Sequence, residues 1–242
     1  MLLRALILAL LISSSGWCGA AELRWGFASA DGMPYVDVDN QQLRGGFIYQ
    51  LGQQASQRLG HQARFVETPN KRIDEFMQRG HIHIICNSNP QWVAEPQRYH
   101  WSPVLYEEED VLLLHSQQAP IQGLSDLQGK VVGTQLGYVY SVPLMAAFAN
   151  QQVIRQDVRD LAARLNLLRR QRLDAIIDMR RPITFQLAKR PDAPLRLSPW
   201  VIQRYDMHCS YSSKLPVNAE RLDQVLQELR DQGVIARLLD SI

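Results

Sequence analysis

Short apolar runs alternate with longer amphipathic segments along most of this chain, and glycine closes several of the longer ones. Leu23 to Ala28 alternates as a strand, and Gly32 to Asn40 holds Pro34 and turn residues ahead of Gly45 and Gly46. Phe47, Leu51, Ala55 and Leu59 then recur at near-helical spacing and stop at Gly60. Ala63 to Glu67 reads as a second strand and Ile73 to Arg79 as a helix ended by Gly80. Ile82, Ile84 and Ile85 with Cys86 read as a third strand. After Val111 to Leu114 the cycle restarts. Its strands are Val131 to Thr134 and Ala175 to Ile177, and its helices Ser141 to Asn150, Val158 to Gln171 and Pro182 to Lys189. Ala219 to Gln232 and Val234 to Leu239 make closing helices. Strands alternating with helices predict an α/β fold with a mainly parallel sheet and right-handed crossovers.

Within the second cycle, Lys130 to Tyr140 reads as a short strand, a glycine turn and a helix start. Gly137 can take a positive φ, which would leave the amides of Tyr138, Val139 and Tyr140 unpaired on a first helical turn, a cradle for a small anion beside Gln135. A strand, a glycine and a helix start also make an ordinary βα connection.

The first residues point to export. Arg4, an apolar run from Ala5 to Ile12 and small residues at Gly19, Ala20 and Ala21 form a cleavable signal peptide over residues 1–20. The run is too short for a stable membrane anchor. A mature chain of about 220 residues follows. Trp17 precedes Cys18 where a lipidated cysteine needs a small neighbour, so Cys18 leaves with the signal. Cys86 and Cys209 remain, and an even count in an oxidising compartment favours a disulfide over two buried free thiols. His81, His83 and His100 show no zinc spacing, so neither metal nor cofactor is expected.

Hydrophobic content is 46%, charged content 21% and formal net charge +2, which gives no footprint for nucleic acid. Arg164, Arg169, Arg170 and Arg172 read as the solvated face of a helix whose apolar side is Leu161, Leu165 and Leu168. Glu107, Glu108, Glu109 and Asp110 read as the exposed edge of a connecting strand.

The order of these segments resembles the bacterial extracellular solute-binding proteins, family 3, which serve ABC importers of amino acids and related solutes. The resemblance is carried by the Lys130 to Tyr140 turn, the Asp126 to Gly129 turn before it and the Arg172 to Asp178 strand entry. Pro34 with Tyr35, Gly46 with Phe47, and Ile82 through Trp101, Ser102, Pro103 and Tyr106 complete it. It implies a two-lobed type II periplasmic-binding-protein clamp, each lobe a mostly parallel sheet flanked by helices. Lobe 1 would be residues 21–107 and 203–242 and lobe 2 residues 108–202, hinged near Glu107 to Leu112 and Pro199 to Gln203. The implied ligand set is Tyr35, Asn70, Arg72, Asn87, Ser88, Trp92, Arg98, Gln135, Tyr138, Val139, Tyr140 and Asp178.

Two positions depart from the family. Its carboxylate-gripping arginine lies seven residues before the serine matching Ser102, where this chain has Glu95 with Arg98 three residues on. Its ammonium-binding acid lies five residues after the position of Asp174, where this chain has Met179 with Asp178 one residue short. Arg98 would then reach the cleft from one lobe and the amides after Gly137 from the other, or Arg98 would pair with Glu95 at the surface. The expectation is a monomeric, non-enzymatic periplasmic protein that captures a small polar solute, an amino acid or related carboxylate, for an inner-membrane ABC permease. The alternatives are a dehydratase resembling cyclohexadienyl dehydratase, with Glu95 as acid or base, and a sensor for a membrane partner.

Overall fold

A computed structural model describes residues 21–240; the signal-peptide reading and Cys18 lie outside the described residues. Chain order begins with strand β1 (Glu22–Phe27), the hairpin β2 (Asp37–Asp39) and β3 (Gln42–Gly45), helix α1 (Phe47–Arg58), β4 (Gln62–Glu67), α2 (Ile73–Arg79) and β5 (Ile84–Ser88). Next come β6 (His100–Trp101), β7 (Tyr106–His115), β8 (Val131–Gln135), α3 (Val142–Ala149), β9 (Ile154–Val158), α4 (Leu161–Arg169) and β10 (Ala175–Met179). The chain finishes with α5 (Arg180–Ala188), β11 (Leu195–Tyr211), α6 (Ala219–Asp231) and α7 (Val234–Asp240). Among the described residues no helix is long and apolar enough to cross a membrane.

The strands form a nine-stranded sheet in the order β4-β1-β5-β11-β7-β10-β8-β9, with β6 paired to β11. The strands β4, β1 and β5 run parallel, as do β10, β8 and β9. Between them β11 pairs antiparallel with β5 and β7, and β7 antiparallel with β10. Two register shifts interrupt the β7–β11 ladder between Leu197 and Gln203. Pro199, which has no N–H to donate, stands inside that interval.

Apolar side chains pack on both faces. Trp25, Phe47, Leu51, Met207, Leu226 and Ile235 belong to one cluster, in which α1, α6 and α7 cover one face of the first half, and Met77, Ile82 and Ile85 pack on α2. In the second half Leu112 and Leu114 join a cluster with Leu144 of α3, while Val111 and Leu113 join Leu161 and Leu165 of α4 and Ile183 of α5. Successive residues of β7 thus serve opposite faces.

Several expectations need correcting. Glu107 to Asp110 is not an exposed edge: β7 lies inside the sheet, and the pleat buries Glu108 and Asp110 while Glu107 stays exposed. Arg164 is fully buried, whereas Arg169, Arg170 and Arg172 are exposed. The helix expected from Val158 starts at Leu161, where the Asp160 side chain accepts the Ala163 amide at 2.8 Å. The residues before it belong to β9, a half-exposed edge strand with apolar residues only at its two ends.

Cys86 and Cys209 form a disulfide between neighbouring strands β5 and β11, with Cα atoms 3.9 Å apart and 123 residues between them in sequence. Closing so long a loop stabilises the fold by about 4–5 kcal/mol in the chain-entropy account. Alkylation of unfolded, unreduced protein followed by peptide mapping should label neither Cys86 nor Cys209, and reductant should lower the stability by roughly that amount. Labelling of both without reductant would contradict the bridge.

Candidate functional site

In parallel α/β sheets the turns that leave the carboxyl ends of the strands gather on one side, where ligands bind. Here those turns meet around a cavity of ≈ 130 Å³. Ala28 and Asp31 follow β1, Asn70 and Lys71 follow β4, and Asn87 and Ser88 end β5, with Trp92 just beyond. From the second half, Gly137, Tyr138 and Val139 follow β8. The gap is narrow. Gly137 has φ +85°, and a Cβ there would stand 3.0 Å from Lys71 Cγ. Trp92 and Tyr138 meet across it at 5.5 Å between ring centroids, and Gln135 Nε2 donates to Asp31 Oδ1 at 3.4 Å.

Local chemistry fixes the walls. Asn87 adopts φ 55°, a left-handed conformation that asparagine tolerates better than most residues, and its Oδ1 accepts the Tyr106 hydroxyl at 2.7 Å. Asn89 donates to the Asp206 carbonyl and accepts the Gln91 amide, each at 2.8 Å, which anchors the loop carrying Trp92. No helix starts at Gly137. Pro143 fits only the first turn of a helix, so α3 begins at Val142. The Tyr138 amide turns back to the Gln135 carbonyl at 3.1 Å. Among the described residues the amides of Val139 and Tyr140 have no protein acceptor, so two of the three expected donors are available on a loop.

Of the residues nominated from the sequence, Asn70, Asn87, Ser88, Trp92, Tyr138 and Val139 line the cavity together. Arg98 does not. It pairs with Glu95 at 2.8 Å, and both side chains are about half exposed. The short turn Pro96–Arg98 is held by local backbone bonds to Glu95 and Pro96, which leave the pair on the surface. Glu95 is therefore outside the cavity lining as well. Arg72 is likewise drawn away, to Glu75 at 3.3 Å and to the Phe76 ring. Tyr35 is fully buried in the core with its hydroxyl donating to Glu108, and Tyr140 is buried with its hydroxyl accepting the Gln135 amide at 2.9 Å. Neither ring walls the cavity, because each serves a packed cluster.

Gln135 and Asp178 lie behind the lining. Buried Arg164 donates to Asp178 Oδ2 at 2.6 Å, to Gln135 Oε1 at 3.0 Å and to the Ile177 carbonyl at 2.8 Å, so a chain of polar contacts runs from α4 through Gln135 to Asp31. Burial raises the Asp178 pKa even against the pull of Arg164. Burial, then the charge of Asp178, pushes Asp31 up to about 7.

Asp110, read from the sequence as part of an exposed edge, is a further buried carboxylate. It is 0% exposed, and neither of its oxygens has a hydrogen-bond partner among the described residues. The Tyr205 hydroxyl and Trp92 Nε1 are near neighbours, also without a well-formed hydrogen bond. Burial, reinforced by the charges of Asp178 and Glu108, pushes Asp110 up to about 8. Glu108, by contrast, is neutralised by Arg181 at 2.7 Å. Asp31 and Asp110 were legible in principle: one follows β1 at a strand-end turn, and the other shares a pleat face with Glu108. No cluster of metal-ligating residues occurs among the described residues.

No family model matches the chain, and no curated protein matches it. Solved structures do. An ancestral arginine-binding protein bound to arginine aligns with a TM-score of 0.78 at 18% identity, over 92% of this chain and 98% of the other. A mutant of ArgBP from T. maritima aligns at 0.76 and 20% identity, over 91% and 94%. The ancestral amino acid-binding protein AncCDT-1, a precursor of cyclohexadienyl dehydratase, aligns at 0.74 and 19%, over 91% and 94%. The fold is that of a type II periplasmic binding protein. At these identities the likeness is one of architecture, and the family's arginine and acid positions are the ones where this chain departs.

The raised carboxyls set a pH dependence. Folded Asp31 and Asp110 hold protons up to pH of about 7 and about 8, whereas their ordinary pKa is 3.8, so the folded state binds more protons across that window. Their contribution to stability is therefore complete below the unfolded value and lost as pH rises through the folded ones. Asp110→Asn should flatten this loss, so the variant should gain melting temperature on the parent at pH 8 compared with pH 5, about 2–4 °C for each kcal/mol recovered. An equal offset from the parent at both pH values, read by thermal denaturation, would contradict it.

Proposed function

We propose that this chain is a periplasmic solute-binding protein that closes two lobes, residues 21–107 with 203–242 and residues 108–202, on a small polar solute and delivers it to an ABC importer. The observation that carries the reading is the cavity itself: it is lined from both halves of the sheet at the strand carboxyl ends, with Asp31, Asn87 and Trp92 on one side and Gly137 to Val139 on the other. A ligand touching both sides favours the closed arrangement by the difference in its contacts between open and closed forms, and no covalent chemistry is needed. The register shifts between Leu197 and Gln203, opposite Asp110 and Val111, support a bend of the two strands there. Residues 1–20 and the disulfide fit a secreted protein. The neighbours that bind arginine support a solute of amino-acid size.

Enzymatic chemistry has less behind it, since Glu95, the acid nominated for it, is held in a surface pair with Arg98.

Mass spectrometry of protein purified from its native compartment should find one small solute retained. Trp92→Ala should weaken its binding at least about tenfold, or about 1.4 kcal/mol, because the ring closes the cavity against Tyr138. Arg98→Ala should leave the affinity within about twofold, as expected for a surface pair. Loss of binding in Arg98→Ala with full affinity in Trp92→Ala would overturn this placement of the site.

A further inference from the structure

Charge is distributed unevenly around this cavity. Asp31 lines it, while Asp110 and Asp178 lie behind the lining, near enough to the Tyr138 hydroxyl for the charges of all three to raise its pKa. Arg164 is the cation facing them, and it is committed to Asp178 at 2.6 Å. Lys71 and Asp74 also line the cavity, and Asp74 accepts the Tyr99 hydroxyl at 2.9 Å. Among the described residues no arginine lines the space. Half-buried Asp31 has the uncharged side chains of Gln135, at 3.4 Å, and Asn87 as partners, and fully buried Asp110 has no hydrogen-bond partner among the described residues.

An uncompensated buried carboxylate is costly, and its removal would be cheap for a protein that had no use for it. Asp110 is one such group behind the cavity, and with Asp31 in the lining beside the rings of Trp92 and Tyr138 it makes an environment that favours a positive charge. The carboxylates supply the field, and the ring faces supply cation–π attraction. The amides of Val139 and Tyr140 are the donors on the other side. They are neutral dipoles that suit an uncharged oxygen, and they bring no cation to the carboxyls.

We infer that the solute taken by this cavity is an organic cation, a protonated amine or an ammonium group, held without a guanidinium grip on a carboxylate. The inference rests on the solute-binding reading and names its ligand class. The cation takes the place that a paired arginine would occupy beside Asp31, with Asp110 behind it. It also favours their ionised forms, so its binding expels protons and strengthens as pH rises, the reverse of the behaviour of an anionic ligand.

Titration calorimetry with three probes of one carbon skeleton tests this: butylamine, butyrate and 2-aminobutyrate, each at pH 6 and pH 8. Butylammonium should bind and butyrate should not. The ionised fraction of a carboxyl near 7 rises about tenfold over this interval, so the affinity for butylammonium should rise by about that factor. Asp31→Asn should remove most of the rise, with thermal melting to confirm that it folds. Preference for butyrate, or amine binding indifferent both to pH and to Asp31→Asn, would overturn the inference. If all three probes are silent, the charge of the natively retained solute decides. A cationic solute upholds the inference, an anionic or neutral one overturns it and leaves the solute-binding reading intact, and no retained solute at all overturns both.

Discussion

The antiparallel pairing of β7 with β11 holds the two halves of this sheet together. β11 runs for 17 residues and pairs with β5 at one end and with β7 along most of its length. A connection placed in the middle of a sheet must be buried, and its ladder must be complete. Because β7 carries Glu107 to Asp110, that requirement drives two carboxylates out of water. One is answered within the fold, since Glu108 receives Arg181 and the Tyr35 hydroxyl. The other, Asp110, is left without a partner next to the cavity wall.

That asymmetry links the architecture to the proposed activity. A strand pair interrupted by two register shifts, with a proline at the interruption, is the softest part of an otherwise continuous ladder. Contacts across the gap are few and polar or aromatic: Gln135 with Asp31, Trp92 with Tyr138, and the close approach of Gly137 to Lys71. Any larger side chain at Gly137 would meet Lys71 and would also have to adopt a positive φ. In the proposed clamp, a solute that supplies positive charge beside Asp31 would add differential binding energy to the closed form, and differential energy is what shifts such an equilibrium.

Most of the fold was legible because helix and strand periods are strong signals, and every expected helix is present within a few residues of its place. The β9 strand was not, since Ile154 and Val158 are its only apolar residues and it sits at a sheet edge. Arg164 was misread for a related reason. Its neighbours Arg169, Arg170 and Arg172 are exposed, and only the tertiary partner Asp178 distinguishes it. Strand-end positions such as Asn87, Ser88 and Tyr138 line the cavity because sheet topology delivers them there, and that much follows from sequence order. Side-chain direction was not legible. Arg98, Arg72 and Tyr35 each found a nearer partner in Glu95, Glu75 and Glu108. That Asp110 lacks a partner followed only once β7 was known to be an interior strand.

A crystal structure of the protein with its natively retained solute tests the central claim most directly. The account predicts the solute between Asp31 and Asn87 on one side and Tyr138 and Val139 on the other, with a positively charged nitrogen about 2.7–2.9 Å from a carboxylate oxygen. A solute seated on one half alone, or one that presents a carboxylate towards Asp31, would contradict it.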